Sequence, residues 1–146
     1  MSLSNCVFVP ASIADVLRGR RLLIIGGDAA PAACARLHAA FDLLEVVHCP
    51  TSRHDASARR FARRLADRDW VLVIWVAGLS RTGHGTVVHE ICRGREIPFL
   101  DCMRAPHPNA LVNHLLRLHL VSALERRTGR IPSAASACGA VIRGIA

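Results

Sequence analysis

Four short apolar runs, each closed by a polar loop, constrain this chain more than any other feature. They are Arg21–Ile25, 43–47, Trp70–Val76 and 97–100. Trp70–Val76 is apolar throughout, without alternation, which suits a strand buried on both faces and marks it as central. Helical spacing fills the gaps. Asp28 can cap a helix with Pro31 in its first turn, which ends near Phe41 after placing Cys34, Leu37 and Phe41 on one face. Further helices are expected over 56–68, 86–93 and 109–127, and a short one over 12–18. Strand–helix alternation at this spacing predicts βαβ units. The expected fold is a three-layer, Rossmann-like α/β sandwich with a mostly parallel sheet of four to five strands.

Length supports one domain. A chain of 146 residues buries about two-thirds of its unfolded surface. Residues 21–127 should form the single α/β domain. Residues 1–20 read as a lead-in, and 128–146, rich in Ala, Gly and Ser, as a loosely held tail. Half of the residues are hydrophobic, yet no run reaches the roughly 20 apolar residues of a membrane span. The first ten residues lack the basic start and apolar core of a signal peptide. The expectation is a cytoplasmic protein with no membrane partner.

The helix expected over 109–127 carries a further message. Leu111, Val112, Leu115 and Leu118 make one apolar face, while Leu120, Val121 and Leu124 lie elsewhere around it. A helix apolar nearly all round is buried on more than one side, which predicts a homodimer. His119 would then be a core or interface histidine.

Parallel α/β sheets bind ligands outside the carboxyl ends of their strands, so the loops there hold the candidate chemistry. After the four runs come Gly26-Gly27-Asp28, His48-Cys49, the loop 78–85 (Gly-Leu-Ser-Arg-Thr-Gly-His-Gly) and Asp101-Cys102. Gly26 and Gly27 meet a helix N-terminus, where backbone amides favour an anion. The pattern is neither GxGxxG nor a P-loop, and a tight turn with a capping Asp accounts for it better than a nucleotide site does. Ser80, Arg81 and His84 offer a hydroxyl, a guanidinium and an imidazole. No GxSxG elbow surrounds Ser80, so anion or metal binding fits better than hydrolysis.

His48-Cys49-Pro50-Thr51-Ser52-Arg53 invites comparison with thiol phosphatases. Only three residues separate Cys49 from Arg53, where a phosphate cradle needs five, so that reading is rejected. Cys-Pro after a His also resembles short haem-responsive motifs. His89 and Cys92, three apart on a helix, point the same general way and are candidate ligands of a soft metal. Six scattered cysteines without a CxxC pair argue against a disulfide framework.

The formal charge of +8 comes from arginine alone, since the chain has no lysine. On the helix over 56–68, Arg59, Arg60, Arg63, Arg64 and Arg68 form one face. That ridge is either a solvated basic surface or a phosphate grip. With four Phe, two Trp and no Tyr, a single-strand stacking platform is not expected.

Two functions follow. The first is a ligand-binding or sensory protein holding haem or a transition metal. Its ligands would be His84 and His89, with Cys92, His48 and Cys49 in reserve and Arg81 pairing an anionic group. The second is a binding module for phosphorylated small molecules or nucleic acid, using Gly26, Gly27, Arg81 and the arginine ridge. No base–nucleophile–orienter set assembles from the spacing, so no catalytic residue is assigned.

The order of these pieces resembles the bacterial domain of unknown function family 2325. The matching positions are Gly26 and Gly27, His48, Ser80 and His84, Cys92, and Ile97-Pro98, over residues 20–116. Departures are specific. Arg81-Thr82-Gly83 separates Ser80 from His84, His89 stands near the family's lysine, and glycines are missing after His48. The resemblance implies a small cytoplasmic α/β domain with a polar site and carries no activity.

Overall fold

A computed structural model describes residues 8–27, 31–51, 59–77 and 82–129. Ten elements follow one another: α1 (Ala11–Leu17), β1 (Arg21–Ile25), α2 (Pro31–Phe41), β2 (Glu45–Cys49), α3 (Arg59–Asp67), β3 (Trp70–Val76), α4 (Thr82–Gly94), β4 (Phe99–Cys102), α5 (Pro108–Arg117) and α6 (Val121–Thr128). The four strands form one all-parallel sheet in the order β2-β1-β3-β4. The expected Rossmann-like α/β class is therefore observed.

Two cores sandwich the sheet. On one face Ile24, Leu72, Ile74 and Leu100 pack against α1, α2, α5 and α6 through Leu17, Leu37, Leu111 and Leu124. On the other, Leu23, Ile25, Val73 and Trp75 meet Phe61 and Leu65 of α3 and Val88 and Cys92 of α4. β3 is buried at all seven positions, as its unbroken apolar run requires. α1 lies within the segment expected as a lead-in, yet Ile13, Val16 and Leu17 are fully part of the core. Among the described residues, no helix is long and apolar enough to cross a membrane.

Three boundaries depart from expectation for one physical reason. Asp42, Glu96 and His119 adopt left-handed backbone conformations, with φ of 51°, 57° and 55°. The next residue in each case returns its amide five residues back: Leu43 to His38 O, Ile97 to Cys92 O and Leu120 to Leu115 O. This is the Schellman helix terminus, in which an apolar residue follows the left-handed one. Leu43 and Ile97 therefore belong to helix caps, and β2 and β4 begin two residues later than expected. Leu120 likewise ends α5, so the single helix expected over 109–127 is two helices.

That break corrects the reasoning behind the homodimer. Leu111, Leu115 and Leu124 all reach the same core because the chain turns between them. Apolar residues on several sides of the segment therefore do not demand a second partner. His119, expected in a core or interface, is exposed on the connecting turn.

Candidate functional site

The chain steps from β1 outward to β2, then returns across β1 to β3. The strand order reverses between β1 and β3, and beyond their carboxyl ends lies the crevice where such sheets take ligands. Gly26 and Gly27 sit there with φ of 114° and 68°. A Cβ on Gly26 would overlap the Val76 carbonyl oxygen, and one on Gly27 would lie 3.2 Å from Val76 Cγ1. The glycines therefore let the end of β1 close against the end of β3.

Residues after β1 are tied to β2. Gly26 donates its amide to Cys49 O at 2.9 Å, and His48 Nε2 lies 2.8 Å from Gly26 O. Gly27 donates its amide to Thr51 Oγ1 at 3.2 Å. Since a carbonyl only accepts, Nε2 carries the His48 proton in this contact, leaving Nδ1 a lone pair. That Nδ1 is buried and has no hydrogen-bond partner among the described residues.

α3 flanks the outer side of this region. Arg59, Arg60, Arg63 and Arg64 line an open groove of about 660 Å³ with His48, Cys49, Pro50 and Asp67. Arg60 donates to Pro50 O at 2.6 Å and lies 5.0 Å from the Phe61 ring centre. Arg64 pairs with Asp67 at 3.2 Å. Arg68, on the same ridge, does not line the groove and pairs with Glu45 at 3.1 Å and with Asp67 at 3.7 Å. The groove lining thus holds four arginines and one carboxylate, all on α3.

On the inner side of α3, His84 stands in the first turn of α4 and is only 8% exposed. Its ring meets Phe61 edge-on at 5.6 Å, and its Nδ1 is buried with no hydrogen-bond partner among the described residues. Phe61 in turn meets Trp75 at 6.2 Å. Gly85 lets α4 settle onto the Trp75 indole, because a Cβ there would come within 2.9 Å of Nε1.

The remaining expected residues divide clearly. Gly26, Gly27, His48 and Cys49 come together at the carboxyl edge, and His84 lies at the same end of the sheet in the wall beside α3. His89 is exposed and stacks on Phe99 of β4 with ring centres 4.7 Å apart. Cys92 is wholly buried in the core, and burial pushes its thiol up to about 12, against a smaller lowering by Arg127. A metal ligand must be the thiolate, so Cys92 has the character of core packing. Ser80 and Arg81 lie outside the described residues. Among those described, no three His, Cys, Asp or Glu side chains gather to hold a metal ion.

Thr51, Phe61 and Trp75 are parts of the site that sequence reasoning did not single out. Only Thr51, two residues beyond β2 at the sheet's carboxyl edge, carried a positional hint. The fold and site define a doubly wound α/β protein with a basic groove between α3 and the carboxyl end of the edge strand β2. No protein-family model, curated protein or solved structure matches this chain.

Proposed function

We propose that this protein binds a phosphorylated small molecule at the carboxyl edge of its sheet, between the Gly26-Gly27 turn and α3. The observation that carries this reading is the groove lined by Arg59, Arg60, Arg63 and Arg64 beside the end of β2. Arginine's planar fork suits phosphate oxygens. A volume of about 660 Å³ falls within the range of small-molecule sites. Nucleic acid is the less favoured partner, because Phe61 and Trp75 are buried and offer bases no stacking surface. Arg63 is exposed and has no partner among the described residues, so it is the cation best placed to meet a ligand.

The test is calorimetric titration with nucleoside phosphates, sugar phosphates and inorganic pyrophosphate at fixed ionic strength. Losing a charge-assisted contact removes about 1.5–3 kcal/mol, so Arg63→Ala should weaken binding tenfold or more. Affinity unchanged in an Arg59→Ala, Arg63→Ala double variant would end this reading. Tight binding of oligonucleotides with a steep salt slope would replace it with nucleic acid.

A second reading rests on His48. Its Nε2 held by the Gly26 carbonyl is the arrangement that orients a histidine's other nitrogen toward a metal. Haem or a transition metal on His48 Nδ1, with His84 in reserve, is therefore a distinct proposal. An absorption spectrum after adding haemin, and metal analysis of purified protein, test it; loss of signal in His48→Ala is expected. Membership of domain family 2325 belongs with these proposals and rests on the order Gly26-Gly27, His48, Ser80, His84 and Cys92. So does a homodimer, which the exposed Leu116 and Leu118 still favour and sedimentation would test.

A further inference from the structure

The Gly27 amide, a backbone donor at the β1 turn, is already occupied. Thr51 Oγ1 accepts its hydrogen at 3.2 Å, and the preceding residue, Pro50, receives the Arg60 guanidinium through its carbonyl at 2.6 Å. Residues 50 and 51 thus hold two donors: the Arg60 guanidinium, which lines the groove, and the Gly27 amide, at the turn beside it. They do so with neutral oxygens, one a hydroxyl and one a carbonyl. A phosphate oxygen is the stronger acceptor for both, because charge assistance roughly doubles such a bond.

We infer that Thr51 sets the affinity of this site by occupying the Gly27 amide that a ligand phosphate must claim. The inference rests on the phosphate-binding reading above. Two roles for the hydroxyl are open in principle. As a relay it would keep the amide and pass its own proton on to the ligand. As a competitor it must leave before the amide can bind anything else. Thr51 is 5% exposed, too deeply placed to present its hydroxyl to a ligand in the open groove. Gly27, by contrast, is half-buried, so its amide is reachable once Oγ1 withdraws. Burial therefore selects the competitor.

The geometry also explains why the amide needs a stand-in. Gly26 is held by both Cys49 O and the His48 ring, so the turn cannot swing its next amide freely to water. An unpartnered amide there costs free energy in the absence of ligand. Thr51 removes that cost, and in doing so it makes the ligand compete.

The decisive variant is Thr51→Val, which keeps the β-branched shape and deletes the acceptor. With inorganic pyrophosphate as probe, it should bind about five- to tenfold more tightly than the unaltered protein, the size of one net hydrogen bond. Thr51→Ser keeps the hydroxyl and should match the unaltered protein. Equal or weaker binding by Thr51→Val would overturn the inference. If Thr51→Val does not fold, the unaltered protein still decides the matter by nuclear magnetic resonance. Saturating pyrophosphate should shift the Gly27 amide and the Thr51 methyl together, and an unmoved Gly27 amide would overturn the inference. Failure of the underlying reading looks different. Pyrophosphate would then bind without regard to Arg59 and Arg63, or not at all, and both proposals would fall. Binding that needs those arginines but ignores Thr51→Val would remove this inference alone.

Discussion

Replacing Gly26 with alanine tests how the end of β1 is built. The residue's φ of 114° is one that side-chain-bearing residues rarely adopt, and strain of this kind costs about 1–3 kcal/mol. The new Cβ would also overlap the Val76 carbonyl, which is backbone in the central strand and cannot rotate aside. Relief requires the turn to lift from β3. That movement breaks the amide bond from Gly26 to Cys49 O and the contact from His48 Nε2 to Gly26 O, at about 0.5–1.5 kcal/mol each. Together these make Gly26→Ala about 3–5 kcal/mol destabilising. Gly27→Ala, with φ of 68° and only Val76 Cγ1 at 3.2 Å, should cost about 1–2 kcal/mol. Gly83 sits in α4 with nothing near its Cβ position, so Gly83→Ala should be neutral or stabilising by about 0.5 kcal/mol. Urea unfolding followed by circular dichroism gives all three values. A Gly26→Ala unfolding free energy within about 1 kcal/mol of that of Gly83→Ala would refute the claim that close approach of β1 to β3 demands glycine.

Two further predictions follow from buried thiols and left-handed residues. Cys92 is held up to about 12 and Cys102 to about 11, mainly by burial, with Asp101 adding to the latter. Above the ordinary thiol value of 9.0 the unfolded chain loses protons that the folded chain keeps. Stability should therefore be flat below pH 9 and fall above it, by up to about 1.4 kcal/mol per pH unit for each thiol. Urea midpoints measured between pH 8 and 10.5 check the slope, and a Cys92→Ala variant should show a shallower one. Glu96→Gly and His119→Gly place glycine at left-handed helix ends and should each stabilise by about 1 kcal/mol. In a chain of this size that is a rise of about 2–4 °C in Tm, and a fall in Tm would contradict the assigned helix ends.

Those helix ends explain which parts of the fold were legible. Arg21–Ile25 and Trp70–Val76 are bounded by polar or glycine residues and were recognisable to the residue. The other two strands follow Asp42 and Glu96, non-glycine residues that take the left-handed position. Neither advertises a helix end in the way glycine does, so the apolar residue after each reads as the first of a strand. Gly94, the conventional stop signal, lies inside α4, two residues before the left-handed Glu96. The same substitution of His119 for glycine hid the break between α5 and α6. Shared hydrogen bonds, rather than composition, fix these three boundaries.

The candidate site was legible in its location and only partly in its membership, and α4 shows why. Hydrophobicity centres the buried face of that helix on Val87, Val88 and Ile91. In the fold the buried line is His84, Val88 and Cys92, one residue in four, while Val87 is 37% exposed. Gly85 is responsible, since its missing side chain lets the helix rest on the Trp75 indole. A close approach at that point fixes how the whole helix is rotated. His84 then turns in toward Phe61 and His89 turns out onto Phe99. Two histidines five residues apart are thus sent to different places by a glycine and a tryptophan that meet only in three dimensions. Sequence spacing alone had grouped them as ligands of one centre. The contact that separates them also leaves His84 Nδ1 buried, with no partner among the described residues, beside α3, the helix that carries the arginine groove.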